Sequence, residues 1–393
     1  MLSPAPMPDL HAAEPIPQAA RAAVAALLET GDLFRYTSAD APVAQLERAF
    51  AAKVGSRFAL AVSSCSAALF LALEALDLPR GARVLIPAFT FAAVPSSVVH
   101  AGCVPVLVEV GGDLRIDLAD FESKCAGADA ILISHMRGHT SDMDAIRARA
   151  AAHGLPVIED AAHSLGTTWD GTPIGTLGAI GCYSFQSYKM LNAGEGGMLV
   201  TDDPDLAARA IIMSGAYESN WRKHDAVEEA CARWQNRLPL YNTRMSNLAA
   251  AVITPQIKEL DRRVRDGRRN HDRVAAALAA QPGFTVPAPL GPECRAPDSI
   301  QFGLVGALAD AALDFAAQAG KRGVPVQVFG LSDGNARAFW NWEFLGEAPD
   351  LPQTRAMLRR TCDVRLPARL VAAECDRIAA TLIDAAEATL ATA

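Results

Sequence analysis

The sequence predicts an α/β protein, with a mostly parallel central sheet in a large domain and a smaller α+β domain after it. Three observations predict this. Short β-rich runs alternate with helix-like segments from about residue 36 to 255. Those runs are continuously apolar rather than alternating, as strands covered on both faces are. Beyond residue 255 the order changes to a long helix, strand-like runs and a terminal helix. The length of 393 residues suits about two to three domains.

Residues 1–35 read as a Pro-rich arm followed by a short helix over 17–30. The large domain, 36–255, carries strands at 58–62, 84–86, 104–108, 130–134, 156–159, 180–185 and 198–201. Helices over 66–76 and 143–153 are among the segments between them. The C-terminal domain, 256–393, opens with a helix over 256–280 that has a charged face. Strands at 299–305 and 324–329 follow, and a helix over 372–386 is the last element.

Composition sets limits. The net charge is -8 and there is no basic tract, which argues against nucleic acid as a partner. No apolar run reaches the roughly 20 residues of a membrane helix. The first residues lack a basic start and an apolar core, so no signal peptide is expected and a cytoplasmic location is. The eight cysteines are scattered without a C-x-x-C pair and read as reduced thiols. His135 and His139 follow a strand rather than lying on a helix, so no metal site is expected.

In parallel sheets, ligand groups collect beyond the C-terminal ends of strands. Ser64-Cys65-Ser66, Asp160 and the segment before Lys189 all fall there. Lys189 follows an apolar strand and precedes the glycine-rich Gly194-Glu195-Gly196-Gly197. A desolvated lysine in such a place has a lowered pKa and is nucleophilic. Asp160 closes a short apolar strand, where an aspartate either caps a helix or meets a ligand. Together Lys189 and Asp160 look like the Schiff-base lysine and ring-nitrogen partner of a pyridoxal phosphate enzyme.

Other candidates support that cofactor. Backbone N–H groups at Ser64, Cys65 and Ser66, opening a helix, suit a phosphate. Ser184 and Asn242 are further phosphate candidates. Phe91 either stacks on the pyridine ring or packs in the core. His163 either contacts the cofactor or is a satisfied structural histidine.

These segments resemble the DegT/DnrJ/EryC1/StrS group of pyridoxal-phosphate aminotransferases, of fold type I. The resemblance is carried by 63–69, Pro87-Ala88-Phe89-Thr90-Phe91-Ala92, 160–166, 184–198 and Asn242-Thr243-Arg244-Met245-Ser246. It spans about residues 35 to 260 well and the remainder loosely. It implies that Asn242 reaches the phosphate of a neighbouring subunit's cofactor, making a homodimer the functional unit.

Several positions depart from the family pattern. Cys65 and Ser66 stand where glycine and threonine are usual. Arg137 adds a cation near the expected substrate mouth, where it meets either a carboxylate or a salt-bridge partner. Residues 213–218, which include the candidate substrate contact Tyr217, and residues 335–342 also differ. Both stretches lie where family members recognise their sugars.

The resemblance implies an aminotransferase. An amino acid donor, glutamate or glutamine, gives its amino group to a keto sugar, keto sugar acid, cyclitol ketone or related biosynthetic ketone. Lys189, Asp160 and His163 are the catalytic candidates. The alternative is another pyridoxal phosphate reaction on an amino acid: racemisation, decarboxylation or cyclisation. A regulatory or binding protein on the same scaffold is a third reading, which the retention of Lys189 and Asp160 disfavours.

Overall fold

The structure is a computed structural model that describes residues 6–332 and 334–391. The first five residues of the expected arm lie outside the described residues.

Seven strands form the main sheet, in the order Phe58–Val62, Gly197–Thr201, Ile180–Ser184, Val157–Asp160, Ala130–Ser134, Arg83–Pro87, Val104–Val108. The last five pair in parallel. Gly197–Thr201 runs antiparallel to both of its neighbours. The strands are rich in Val, Ile and Leu and the central ones are buried throughout. Their side chains alternate between two cores. Ile131 and Ile133 point into one, with Phe50, Tyr183 and Val264. Leu132 points into the other, with Leu69, Ile158 and Leu199.

Local signals set the covering helices. Ser64 caps Cys65–Ala75 by accepting from the Ala67 N–H, and Asp142 caps Met143–His153 in the same way through Ala145. Gly154, at φ +68°, ends the latter in the left-handed region.

A second, antiparallel sheet has the order Phe284–Thr285, Ser299–Leu304, Thr361–Arg365, Gln327–Val328. It packs against helices Leu260–Ala279, Ala312–Lys321 and Ala372–Leu390 around a third core. The long helix bridges cores, since Leu260 and Val264 belong to the second and Val274 and Leu278 to the third.

Two elements depart from expectation. Residues Thr254–Glu259 form a 3-10 helix with Pro255 in its first turn, and the α-helix begins only at Leu260. The strand expected over 324–329 shrinks to Gln327–Val328. Pro325 supplies no N–H, and the Val324 N–H is spent on Ala319.

The chain also crosses between its halves. Leu10 of the arm is buried in the third core. Phe329, Phe339, Trp342 and Leu358 pack into the first core, beside the large sheet. The Ala92 N–H donates to Ala336 at 2.9 Å, and Phe89 bridges Ala338. Residues 335–342 are thereby seated on the loop that follows strand Arg83–Pro87.

Candidate active site

The strands Ala130–Ser134, Val157–Asp160 and Ile180–Ser184 end along one edge of the sheet, in register: Ser134 lies opposite Asp160, and Asp160 opposite Cys182. A cavity of about 590 Å³ opens there, within the common range for ligand sites. Lys189, Asp160, His163, Ser184 and the Ser64–Ser66 turn all line it.

Asp160 is buried and oriented from two sides. Ser134 Oγ donates to its Oδ2 at 2.8 Å and the Ala162 N–H to its Oδ1 at 3.1 Å. The Cys65 thiol lies 3.9 Å from Oδ1. Burial, reinforced by Asp160, pushes that thiol well above its usual range, so it stays neutral.

The lysine sits on a braced loop. Phe185 exchanges backbone hydrogen bonds with Gly196 and Ala193. Gln256 clasps Asn192, accepting from its N–H and donating to its carbonyl. The buried Arg263 donates to the Met190 carbonyl at 2.6 Å. Lys189 Nζ lies 2.8 Å from His163 Nε2. Burial, and next the Lys189 cation, push His163 well below its usual value, so the ring is neutral and accepts from the amine.

Burial pushes Lys189 down to about 8. The nearby Arg137 acts in the same direction, against Asp298 and Asp160. Neutral amine is the nucleophile, so capture of pyridoxal phosphate by the cofactor-free protein is expected to accelerate with pH through about 8 and then level off. An unfolded lysine holds its proton to about 10.4. The folded chain therefore binds fewer protons between the two values, and cofactor-free protein gains stability as pH rises across that window. Stopped-flow capture rates and thermal unfolding at stepped pH check both. A capture midpoint near 10 would contradict them.

One glycine is required by a close approach. A Cβ at Gly197 would sit 2.4 Å from the Ser64 carbonyl carbon and 2.6 Å from Cys65 N. Gly197→Ala is expected to destabilise the protein by about 1–3 kcal/mol and to weaken cofactor binding, because the Ser64–Ser66 turn must move. Thermal unfolding with and without cofactor measures both; an unchanged midpoint would refute it.

The residues fit pyridoxal phosphate. A nucleophilic amine, a buried carboxylate held by two donors and a helix N-terminus with unspent first-turn N–H groups share one cavity. Phe91 is 45% exposed and lines this cavity, rather than being a core aromatic, with the Arg337 guanidinium 5.8 Å from its ring centroid.

Other predicted residues fall elsewhere. Asn242 is exposed and does not line the cavity, although the neighbouring Thr243 carbonyl binds the Ser63 N–H at 2.7 Å. Tyr217 also lies outside the cavity, under the Arg244 guanidinium. Arg137 does line it, as a buried ion pair with Asp363 rather than a surface one. His135 and His139 are spent on neighbours. His135 meets Glu159, and His139 bonds Gln301 and Arg295.

Sequence reasoning did not single out Ser134, Arg337 or Arg365 as site residues, nor His11 of the arm at the cavity rim. Ser134 carried a signal, its place at a strand's C-terminal end. Arg337 lay in the stretch 335–342 that departs from the family pattern, whereas Arg365 and His11 come from distant segments and carried no signal.

A profile of the DegT/DnrJ/EryC1/StrS aminotransferase family matches residues 16–383. The chain belongs to that family. It is 36% identical over 249 residues to the spore coat polysaccharide biosynthesis protein SpsC of Bacillus subtilis, covering 62% of this chain and 64% of that one. It is 35% identical over 275 residues to the L-glutamine:scyllo-inosose aminotransferase of Streptomyces griseus, covering 67% and 65%. The chain thus spans just under two thirds of these relatives' lengths. The crystal structure of 3-amino-5-hydroxybenzoic acid synthase superposes with a TM-score of 0.85 at 25% identity, covering 97% of this chain and 100% of that one. The fold is that of the fold type I pyridoxal-phosphate aminotransferases.

Proposed function

We propose that this protein is a pyridoxal-phosphate-dependent aminotransferase that moves an amino group from glutamate or glutamine to a keto sugar, keto sugar acid or cyclitol ketone. The observation that carries the reading is the meeting of Lys189 and Asp160 in one cavity with a helix N-terminus. Membership of the family supports it, as does the similarity to the L-glutamine:scyllo-inosose aminotransferase of Streptomyces griseus.

When bound, the cofactor supplies an aldehyde for amine capture and a ring that accepts electrons. The turn from Ser64 to Ser66 and Ser184 would hold its phosphate, with Phe91 against the ring. Asp160, fixed by Ser134 and Ala162, would keep a proton on the ring nitrogen through a charge-assisted bond. Lys189 Nζ would take the proton from the donor's α-carbon and, as the conjugate acid, would deliver it to the cofactor-side carbon of the transferred nitrogen, so that the nitrogen stays behind. A lysine titrating near 8 suits both directions at neutral pH. The neutral His163 positions the Lys189 amine.

A homodimer and a cytoplasmic setting belong to the same proposal. Asn242 is exposed beside the Ser63 turn, with Phe34, Tyr217 and Leu240 exposed near it in the chain or around Arg244. That exposure supports the reading in which Asn242 serves a neighbouring copy's phosphate. All eight cysteines are free thiols, as a reducing compartment allows.

The test is the donor half-reaction. Holoenzyme mixed with L-glutamate or L-glutamine alone should convert its cofactor to the pyridoxamine form, seen as loss of the visible band. A racemase or decarboxylase would leave the pyridoxal form in place, and that result would overturn the proposal.

A further inference from the structure

Three guanidinium groups line the cavity that holds Lys189: Arg137, Arg337 and Arg365. Arg137 is paired with the buried Asp363. The other two have no carboxylate partner among the described residues. Arg337 donates one side-chain hydrogen bond, from Nη1 to Gln327 Oε1 at 3.2 Å. Arg365 also donates one, from Nη1 to the Tyr188 carbonyl at 3.2 Å. In both, Nε is buried without any acceptor.

Aromatic faces hold these two heads in place. Arg337 lies 5.8 Å from the ring centroids of Phe91 and Phe329, and Arg365 lies 5.0 Å from that of Tyr188. Stacking fixes the plane of a guanidinium and leaves its edge donors free. Burial, and next the Arg137 guanidinium, push Arg337 down to about 10. A cation held this way is costly unless an anion meets it.

The protein's own charges in the cavity are unequal, and the phosphate that the Ser64–Ser66 turn would hold has its donors there. Its lining carries Lys189 and three arginines against the carboxylates of Asp160 and Glu195. Asp363 offsets Arg137, and Asp160 is oriented by Ser134 and Ala162. Two forked donors remain for something that arrives with substrate.

We propose that Arg337 and Arg365 form a carboxylate-binding subsite, so that a substrate of this enzyme presents a carboxylate to the cavity wall formed by residues 335–342 and the strand Thr361–Arg365. The proposal rests on the aminotransferase reading and, where the carboxylate is the acceptor's, narrows the acceptor to a keto acid. Two sources share this chemistry: the α-carboxylate of the amino donor and an acid group on the keto acceptor.

The experiment uses holoenzyme with Arg337→Gln, Arg365→Gln and Arg337→Lys. One arm follows the L-glutamate dependence of the donor half-reaction. The other measures calorimetric binding of D-glucuronate, with uncharged D-glucose as control, to the pyridoxamine form. At least about a 10-fold weakening is expected for the Gln variants, because a forked charge-assisted pair is lost. Arg337→Lys should recover part of it, since charge remains and the fork does not. Loss in the glucuronate arm alone assigns the subsite to the acceptor; loss in the glutamate arm alone assigns it to the donor.

If neither arm separates the Gln variants from the natural protein, or if glucose binding falls equally, the subsite does not exist. An unchanged cofactor spectrum shows that the variants are folded. Failure of the aminotransferase reading is seen separately, as the absence of any donor conversion in the unsubstituted protein, while the glucuronate arm still reports on the arginines.

Discussion

Lys189→Ala is expected to lower turnover by about 10³-fold or more and to abolish covalent retention of the cofactor. Two functions are lost at once, the amine that captures the aldehyde and the base that moves the α-proton. The fold should survive. Lys189 faces the cavity and contacts His163 there, while its loop is held by Gln256 and Arg263 through Asn192 and Met190. Removing an amine that titrates near 8 also removes a buried cation, so thermal stability without cofactor should not fall. Absorbance of purified protein and steady-state rates check the first part, and a melting curve the second. Near-normal turnover would exclude Lys189 from the chemistry.

Asp160→Asn is expected to keep the fold and the cofactor while lowering turnover by about 10²–10³-fold. The amide oxygen can still accept from the Ala162 N–H. The Ser134 hydroxyl, now a donor to Oδ2, can rotate to accept from the new amide. What is lost is the negative charge that keeps a proton on the ring nitrogen. Asp160→Ala differs, because it strands two buried donors at a cost of about 1–3 kcal/mol each. Comparing the two variants by melting temperature and turnover separates the electrostatic role from the structural one. Equal turnover for Asp160→Asn and the natural protein would contradict the assigned role.

The large sheet was legible because its strands are apolar on both faces and helices intervene. Met143–His153 matches its expected bounds, since Asp142 and Gly154 mark both ends. Asp160 and the Ser64 turn were legible from one rule, that parallel strands present ligands at their C-terminal ends. The strand near 324 was misjudged because its apolar pattern outweighed Pro325, whose missing N–H limits pairing.

The cavity wall was harder to read. Arg337 and Arg365 are separated in sequence from Lys189 and from each other, and the docking of residues 335–342 on the loop after Pro87 brings Arg337 in. No local periodicity encodes such a meeting. Arg137 was noticed as a cation, but its partner Asp363 lies on a distant strand of the second sheet. Glu159 shows the same limit. In sequence it merely precedes Asp160. In the fold it is a buried anchor, receiving N–H groups from Gly175, Leu177 and Gly178 and a contact from His135. Those bonds explain why it stays ionised despite burial, its carboxyl being held below the usual range.

The most direct measurement is borohydride reduction of the holoprotein, followed by proteolysis and mass mapping of the pyridoxyl label. The label should fall on Lys189 alone, within the stretch Tyr188-Lys189-Met190. A label on any other lysine, or none on a protein that retains the visible cofactor band, would contradict the site.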